Sequence, residues 1–162
     1  MIDKSDLLQA LCEHLTADLE ALMRRQQDTQ KGATHEENRA EHAKDTRATE
    51  QSYLARGLAA RVEEVRRTIA QLAKVELVRF TDLDPIGLCA LIVLEEPEES
   101  ETQTWWLVPA PGGIELSQRT IRIRTLSPAA PLGRALLGLR VGNEGSFATP
   151  RGVRHFEILE IA

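Results

Sequence analysis

Aromatic side chains are scarce in this chain: three Phe, two Trp and one Tyr, 4% of 162 residues. A large core centred on rings is excluded, whereas a composition rich in Ala, Leu, Glu and Arg suits long helices. Cysteine is nearly absent too. Cys12 and Cys89 stand far apart, each among apolar neighbours. That excludes a disulfide framework and predicts two core thiols in a reducing compartment. No apolar run is long enough to cross a bilayer. The opening Met1-Ile2-Asp3-Lys4-Ser5-Asp6 lacks the basic-then-apolar order of a signal peptide, so the expected location is cytoplasmic, with no membrane partner. An excess of positive charge is missing as well: 20 Lys and Arg face 25 Asp and Glu, a net charge of −5. This argues against general nucleic-acid binding, which favours a basic surface. The sequence carries no nucleophilic triad, phosphate-binding loop, cofactor fingerprint or internal repeat.

The chain does have two apolar stripes. Between Ala48 and Lys74, the residues Leu54, Leu58, Val62, Val65, Ile69 and Leu72 recur at steps of three or four. Upstream, Leu8, Leu11, Leu15, Leu19 and Leu22 repeat the rhythm. Each stripe is one seam of a helix, and a short polar connection makes the two an antiparallel hairpin. Facing Leu8 with Ile69, Leu15 with Val62, Leu19 with Leu58 and Leu22 with Leu54 centres the fold-back near Asn38. The tip is then roughly residues 31–45, and each arm is about 40 Å long. Ser5 is the expected N-cap of helix one, which runs to about Gln30. Two readings of the tip stand side by side. Gly32 ends helix one and Asp45 or Thr46 caps helix two, or Thr34 and Glu37 form a capping box that opens a longer second helix.

Around Lys74 the period changes to short apolar runs between turn signals. Leu77-Val78-Arg79-Phe80 alternates, and Asp84-Pro85-Ile86-Gly87 reads as a turn. Leu88 to Leu94 reads as a strand buried on both faces, followed by an acidic loop from Glu95 to Glu101. Thr104 to Val108 is a strand that sends Trp105 and Trp106 to opposite faces, one to the core and the other exposed or lining a cleft. From Thr120 to Leu126, Ile121 and Ile123 alternate with Arg122 and Arg124, giving one apolar and one basic face. A short helix follows at Leu132 to Leu137 and stops at Gly138. Gly145 to Thr149 and His155 to Ile161 close the chain as strands. The expected class is α+β: an antiparallel coiled-coil hairpin over residues 1–74, then an antiparallel β domain with one short helix over 75–162.

Ser127-Pro128, then Leu132-Gly133-Arg134-Ala135-Leu136-Leu137-Gly138, then Val141-Gly142, then Phe156-Glu157-Ile158-Leu159 resemble the end of the bacterial GreA/GreB transcription elongation factors. The resemblance implies a coiled-coil hairpin followed by an FKBP-like domain. It also implies a partner, RNA polymerase. The globular domain would dock on the rim of the secondary channel and the hairpin would enter it. Acidic tip residues would help hold a Mg²⁺ shared with RNA polymerase, which itself hydrolyses the 3′ end of a backtracked RNA. On this reading the protein is no enzyme, holds no cofactor of its own, and meets nucleic acid only through the transcription complex. FKBP-like domains include prolyl isomerases, but those need an aromatic cleft that Phe80, Phe147, Phe156 and two Trp do not supply.

The candidate tip acids are Glu36, Glu37, Glu41 and Asp45, with Lys31, Arg39 and Lys44 nearly cancelling their charge. Hard Mg²⁺ takes one or two carboxylates plus water and phosphate oxygens, and Glu37 and Glu41 share a face if the tip is helical. A solvated helix connection carries similar charges. His35 and His42, seven apart, suggest a transition-metal site only on a helical tip, and no Cys supports it. The family tip pairs Gly-Asp with a later Glu-Asn. Glu37-Asn38 fits the second pair, but Thr34 stands where the Asp belongs. Aligning Lys44-Asp45-Thr46-Arg47 with the Asp instead leaves Ala48 where a Glu belongs. The expectation is a factor that enters the channel and stimulates cleavage weakly or not at all, as a modulator or a competitor of true cleavage factors. Arg122, Arg124, Arg134 and Arg140 are the candidate polymerase-docking residues. A stand-alone interaction domain and a dimer paired through the seam are the alternatives.

Overall fold

The computed structural model of the chain describes residues 2–37, 46–97 and 102–162. In chain order these hold α1 (Lys4–Glu37), α2 (Thr46–Leu72), β1 (Leu91–Glu95), β2 (Gln103–Leu107), β3 (Glu115–Gln118), β4 (Ile121–Leu126), α3 (Pro131–Leu136), β5 (Glu144–Thr149) and β6 (Gly152–Ile161). They divide into two compact units, one of Cys12–Ala73 and one of Met1–Leu11 with Lys74–Ala162.

In the helical unit, Leu15, Val62, Val65 and Leu72 are buried, and the Arg66 guanidinium donates to the Met23 sulfur across the pair of helices at 3.7 Å. At 34 and 27 residues the helices are about 51 and 40 Å long. Helix one does not stop at Gly32; it continues to Glu37. One glycine inside a helix costs about 1 kcal/mol relative to alanine, and the good helix formers on both sides carry the helix through it. The Thr34 capping-box reading falls with this, because Thr34 lies inside α1. The second helix is described from Thr46 onward, and the expected fold-back at Asn38 lies outside the described residues. The facing pairs do slide: Arg66 stands beside Met23, where the leucine register placed residue 54. Leu54 is 63% exposed, and the seam passes instead through half-buried Ala55 and Leu58. Leucines repeated every three or four residues match almost equally well after a slide of a turn or two, so the stripe alone does not fix the register.

The second unit is a six-stranded sheet in the order β3-β4-β2-β1-β6-β5. The expectation of a purely antiparallel sheet fails at one place: β2 and β4 pair in parallel, Trp105 beside Arg124 and Leu107 beside Leu126. The cause is β3, which periodicity did not reveal. It occupies the outer edge and hairpins back onto β4, so β4 returns beside β2 in the same direction. Residues 77–80 form no strand. The first strand starts at Leu91 rather than Leu88, because the amide of Ala90 closes a turn onto the Gly87 carbonyl and Cys89 takes the left-handed conformation (φ 70°). That conformation is sparsely populated by residues with a Cβ; here the Cys89 amide is tied to the Leu107 carbonyl at 2.7 Å and the residue is buried.

One face of the sheet packs Ile92, Leu94, Leu107, Leu126, Phe156, Ile158 and Ile161 with Leu132 and Leu136 of α3. Trp105 packs against this core, so it is not the exposed member of the pair, and Trp106, on the opposite face beside Leu91, is fully buried. The chain start belongs to this unit too. Asp3, not Ser5, caps α1: its carboxylate accepts the Ser5 amide at 2.8 Å. The Asp3 amide donates to the Gln118 side chain, and the Lys4 ammonium donates to the Val78 carbonyl while sitting 4.9 Å above the Phe80 ring.

Candidate functional site

The most sequence-specific segment, Ser127 to Gly138, has a clear physical basis. The Ser127 carbonyl accepts the Ala130 amide, closing a turn that hands the chain to α3. Pro131 opens the helix, where its missing N–H costs nothing. Gly133 then lies directly on the turn: a Cβ there would stand 2.2 Å from the Ser127 carbonyl oxygen. Leu132 and Leu136 enter the core, and Gly138 (φ 82°) ends the helix and donates its amide to the Ile86 carbonyl. The helix therefore fastens the loop before β1 to the loop after β4.

Of the four candidate docking arginines, Arg122 and Arg124 stand on β4, Arg134 on α3 and Arg140 in the loop that follows α3. Arg124 pairs with Glu115 at 2.9 Å. Arg134 donates to the Ala129 carbonyl at 2.9 Å, and Arg140 donates to the Leu83 carbonyl. Arg122 is exposed and has no partner among the described residues. Two of the four thus tie loops of their own unit together. Beside Arg140, hydrogen bonds from the Thr81 hydroxyl and amide hold the Asp84 carboxyl below the usual carboxylate range, and the Arg140 charge acts in the same direction.

Glu36 and Glu37 lie within α1, and Arg47 within α2. Glu41, Asp45 and His42 lie outside the described residues, so the pairs Glu37–Glu41 and His35–His42 are not placed. Neighbouring helix positions such as 36 and 37 diverge by about 100° around the axis. No group of three His, Cys, Asp or Glu able to hold a metal occurs among the described residues.

Both cysteines are poor nucleophiles: burial pushes the Cys89 thiol up, with the Lys4 charge opposing, and burial also raises Cys12. A different surface went unnoticed in the sequence. Glu144, Ser146, His155 and Glu157 line an open cleft of about 410 Å³ beside Pro97. Only the strand pairing brings these residues together, so neither periodicity nor motif spacing could find them.

A family model described as "Transcription elongation factor, GreA/GreB, C-term" matches residues 83–162. The transcription elongation factor GreA of Syntrophus aciditrophicus is 28% identical over 122 residues, 75% of this chain and 70% of that protein. The transcription inhibitor protein Gfh1 of Thermus aquaticus is 33% identical over 112 residues, 65% of this chain and 69% of that protein. Gfh1 of Thermus thermophilus is 34% identical over the same shares. A crystal structure of Thermus thermophilus Gfh1 matches with a TM-score of 0.39 and 27% identity, covering 93% of this chain and 94% of that one.

Proposed function

The chain belongs to the GreA/GreB family of transcription elongation factors, and from that premise we propose that it binds RNA polymerase and restrains transcript cleavage rather than driving it. The sheet unit docks on the polymerase and the helical hairpin reaches into the secondary channel. The observation that carries this reading is the pairing of family membership with an altered hairpin end. Thr34 stands where the family's acid belongs, and the basic residues Lys31, Arg39 and Lys44 accompany the remaining acids. The relatives at 33 and 34% identity, which bear the name transcription inhibitor, support the same direction.

The chain's part in the reaction is physical occupancy. Helices of about 40 Å or more give the two arms their reach, and the buried leucines and valines keep them together. The role needs no nucleophile and no metal ligand from this chain. Its test is co-purification of the folded full chain with core RNA polymerase at micromolar concentration. Stoichiometric binding is expected, and absence of binding overturns the proposal. Light scattering separates this from the alternative in which exposed Tyr53 and Leu54 (68 and 63% exposed) pair two copies of the chain.

A further inference from the structure

We propose that the outer edge of β5 pairs, antiparallel, with the β5 edge of a second copy of this chain. β5 is the last strand on its side of the sheet, six residues long and in unbroken register with β6. The Asn143 carbonyl accepts the Ile158 amide, which sets the alternation along the strand. The backbone groups of Gly145, Phe147 and Thr149 therefore face β6, and those of Glu144, Ser146 and Ala148 face outward. The outward groups have no backbone partner among the described residues. Proteins blunt a free edge with Lys, Pro, a bulge or a covering segment, because a bare edge templates pairing with another chain. The opposite edge is treated in this way. β3 has only four residues, and the chain start covers its end, where Gln118 bonds to Asp3 and Asp6. β5 has none of these devices, and its one charge, Glu144, sits at the first position.

The residues along this edge fit a second copy. Glu144 opens β5 and Arg151 lies in the turn that follows it, and neither has an ion-pair partner among the described residues. Opposite charges at the two ends of one strand are brought together when the strand pairs antiparallel with itself. A two-fold axis at Ser146 sets Ser146 opposite the partner's Ser146 and Glu144 opposite the partner's Ala148. The partner's Arg151 then lies three residues further along, about 10 Å, within the joint reach of the two side chains. In this register every outward-facing residue meets another, so all three bond across the interface. On the other face, Gly145 comes opposite the partner's Phe147. The Phe156 ring already lies over Gly145, where a Cβ would stand 2.5 Å from it, and Phe156 and Phe147 are 6.2 Å apart between centroids. The glycine leaves room for the partner's Phe147 to extend that pair into an aromatic row. Moving the axis to Phe147 would put Pro150, which has no amide hydrogen, opposite the partner's Glu144. The inference is independent of the proposed function, since it involves no RNA polymerase.

The experiment is sedimentation of the full chain between about 10 µM and 1 mM, the range of small, transient interfaces. A monomer–dimer equilibrium is expected within it. Amide hydrogen exchange at the two ends of the range locates the contact. Protection of the Ser146 and Ala148 amides should rise at least about tenfold, while Gly145 and Phe147, already bonded to β6, change less than about twofold. Ser146→Pro removes an outward amide that the fold does not use and should raise the dimer Kd at least about tenfold. Ser146→Lys, which opposes itself on the axis, should do the same, and an unchanged melting temperature in dilute solution checks that both variants fold. Glu144→Arg and Arg151→Glu should each weaken the dimer, and the two together should restore it. Tyr53→Ala with Leu54→Ala should leave it unchanged. A monomer at every concentration overturns the proposal, and so does a dimer that survives both Ser146 variants. A dimer lost with Tyr53 and Leu54, or a charge pair that does not restore, overturns it too. Polymerase binding is measured separately, so the failure of either reading leaves the other standing.

Discussion

Replacing Gly133 with alanine tests how α3 is seated. On helix propensity alone the change should stabilise, by up to about 1 kcal/mol. Packing opposes it. The new Cβ would lie 2.2 Å from the Ser127 carbonyl oxygen and 3.1 Å from the Pro128 Cα, about 1 Å inside the range that nonbonded atoms tolerate. Both obstacles are backbone, so no side chain can swing away. Leu132 and Leu136, buried on the same short helix, prevent it from lifting without withdrawing from the core. The net expectation is a loss of about 2–3 kcal/mol, at the upper end of overpacking costs. For a unit of this size that is a drop of roughly 10–20 °C in Tm. Tryptophan fluorescence during thermal unfolding reports it, since Trp105 and Trp106 both belong to the sheet unit. Gly57→Ala is the control: it has open space around its Cβ position and should gain some fraction of 1 kcal/mol. A Gly133→Ala protein as stable as wild type would refute the close seating of α3 on the Ser127–Pro128 turn.

Val62→Ala should cost about 2 kcal/mol in urea unfolding, whereas Leu54→Gln stays within about 0.5 kcal/mol; equal losses would restore the register that puts Leu54 in the seam. Glu96→Gln breaks the buried pair with Arg154, and because the arginine is about one-third exposed the expected loss is about 2 kcal/mol, below the full value for a buried pair; a neutral result removes the pair from the account. Asp84 has a lowered folded pKa, so its stabilising effect is complete above its unfolded pKa and is lost as pH falls through the folded value. Asp84→Asn should therefore flatten the acid limb of the Tm–pH curve, and an unchanged limb contradicts the Thr81 hydrogen bonds. Cys89 should react with a thiol reagent at neutral pH only as fast as the protein opens, because the residue is buried and its thiol is held protonated; reaction at the rate of a free thiol contradicts this.

The parts of the fold legible in the sequence were those with a local signal. The leucine stripes declared the helices, Pro131 and Gly138 bounded α3, and alternation marked β2, β4 and β5 to within a residue or two. The errors fall where distant contacts decide. The hairpin register depends on where the connection lies, and a repeating stripe is blind to that. The edge strand β3 holds Leu116 as its sole buried residue, too few for a period. The turn at Cys89 is imposed by hydrogen bonds to Leu107 and Gly87, and its left-handed position is held by a cysteine rather than by a glycine. The capping role of Asp3 rather than Ser5 reflects Gln118, which reaches it from β3. Site reasoning followed the same line. Arg122 and Arg140 stood out as basic residues, but Arg140 is committed to the Leu83 carbonyl. The cleft residues Glu144, His155 and Glu157 stand on two strands that only the fold brings together.

The central claim is that this family member occupies the polymerase channel without driving cleavage. The most direct measurement is RNA hydrolysis in a stalled, backtracked transcription complex, with and without a cleavage-competent GreA. Added alone, the protein should leave cleavage at the intrinsic rate of the polymerase; added with GreA, it should slow cleavage in proportion to its concentration. Cleavage by the protein alone at the GreA rate, abolished by Glu37→Ala with Glu41→Ala, would contradict the claim and make the hairpin end a working metal site.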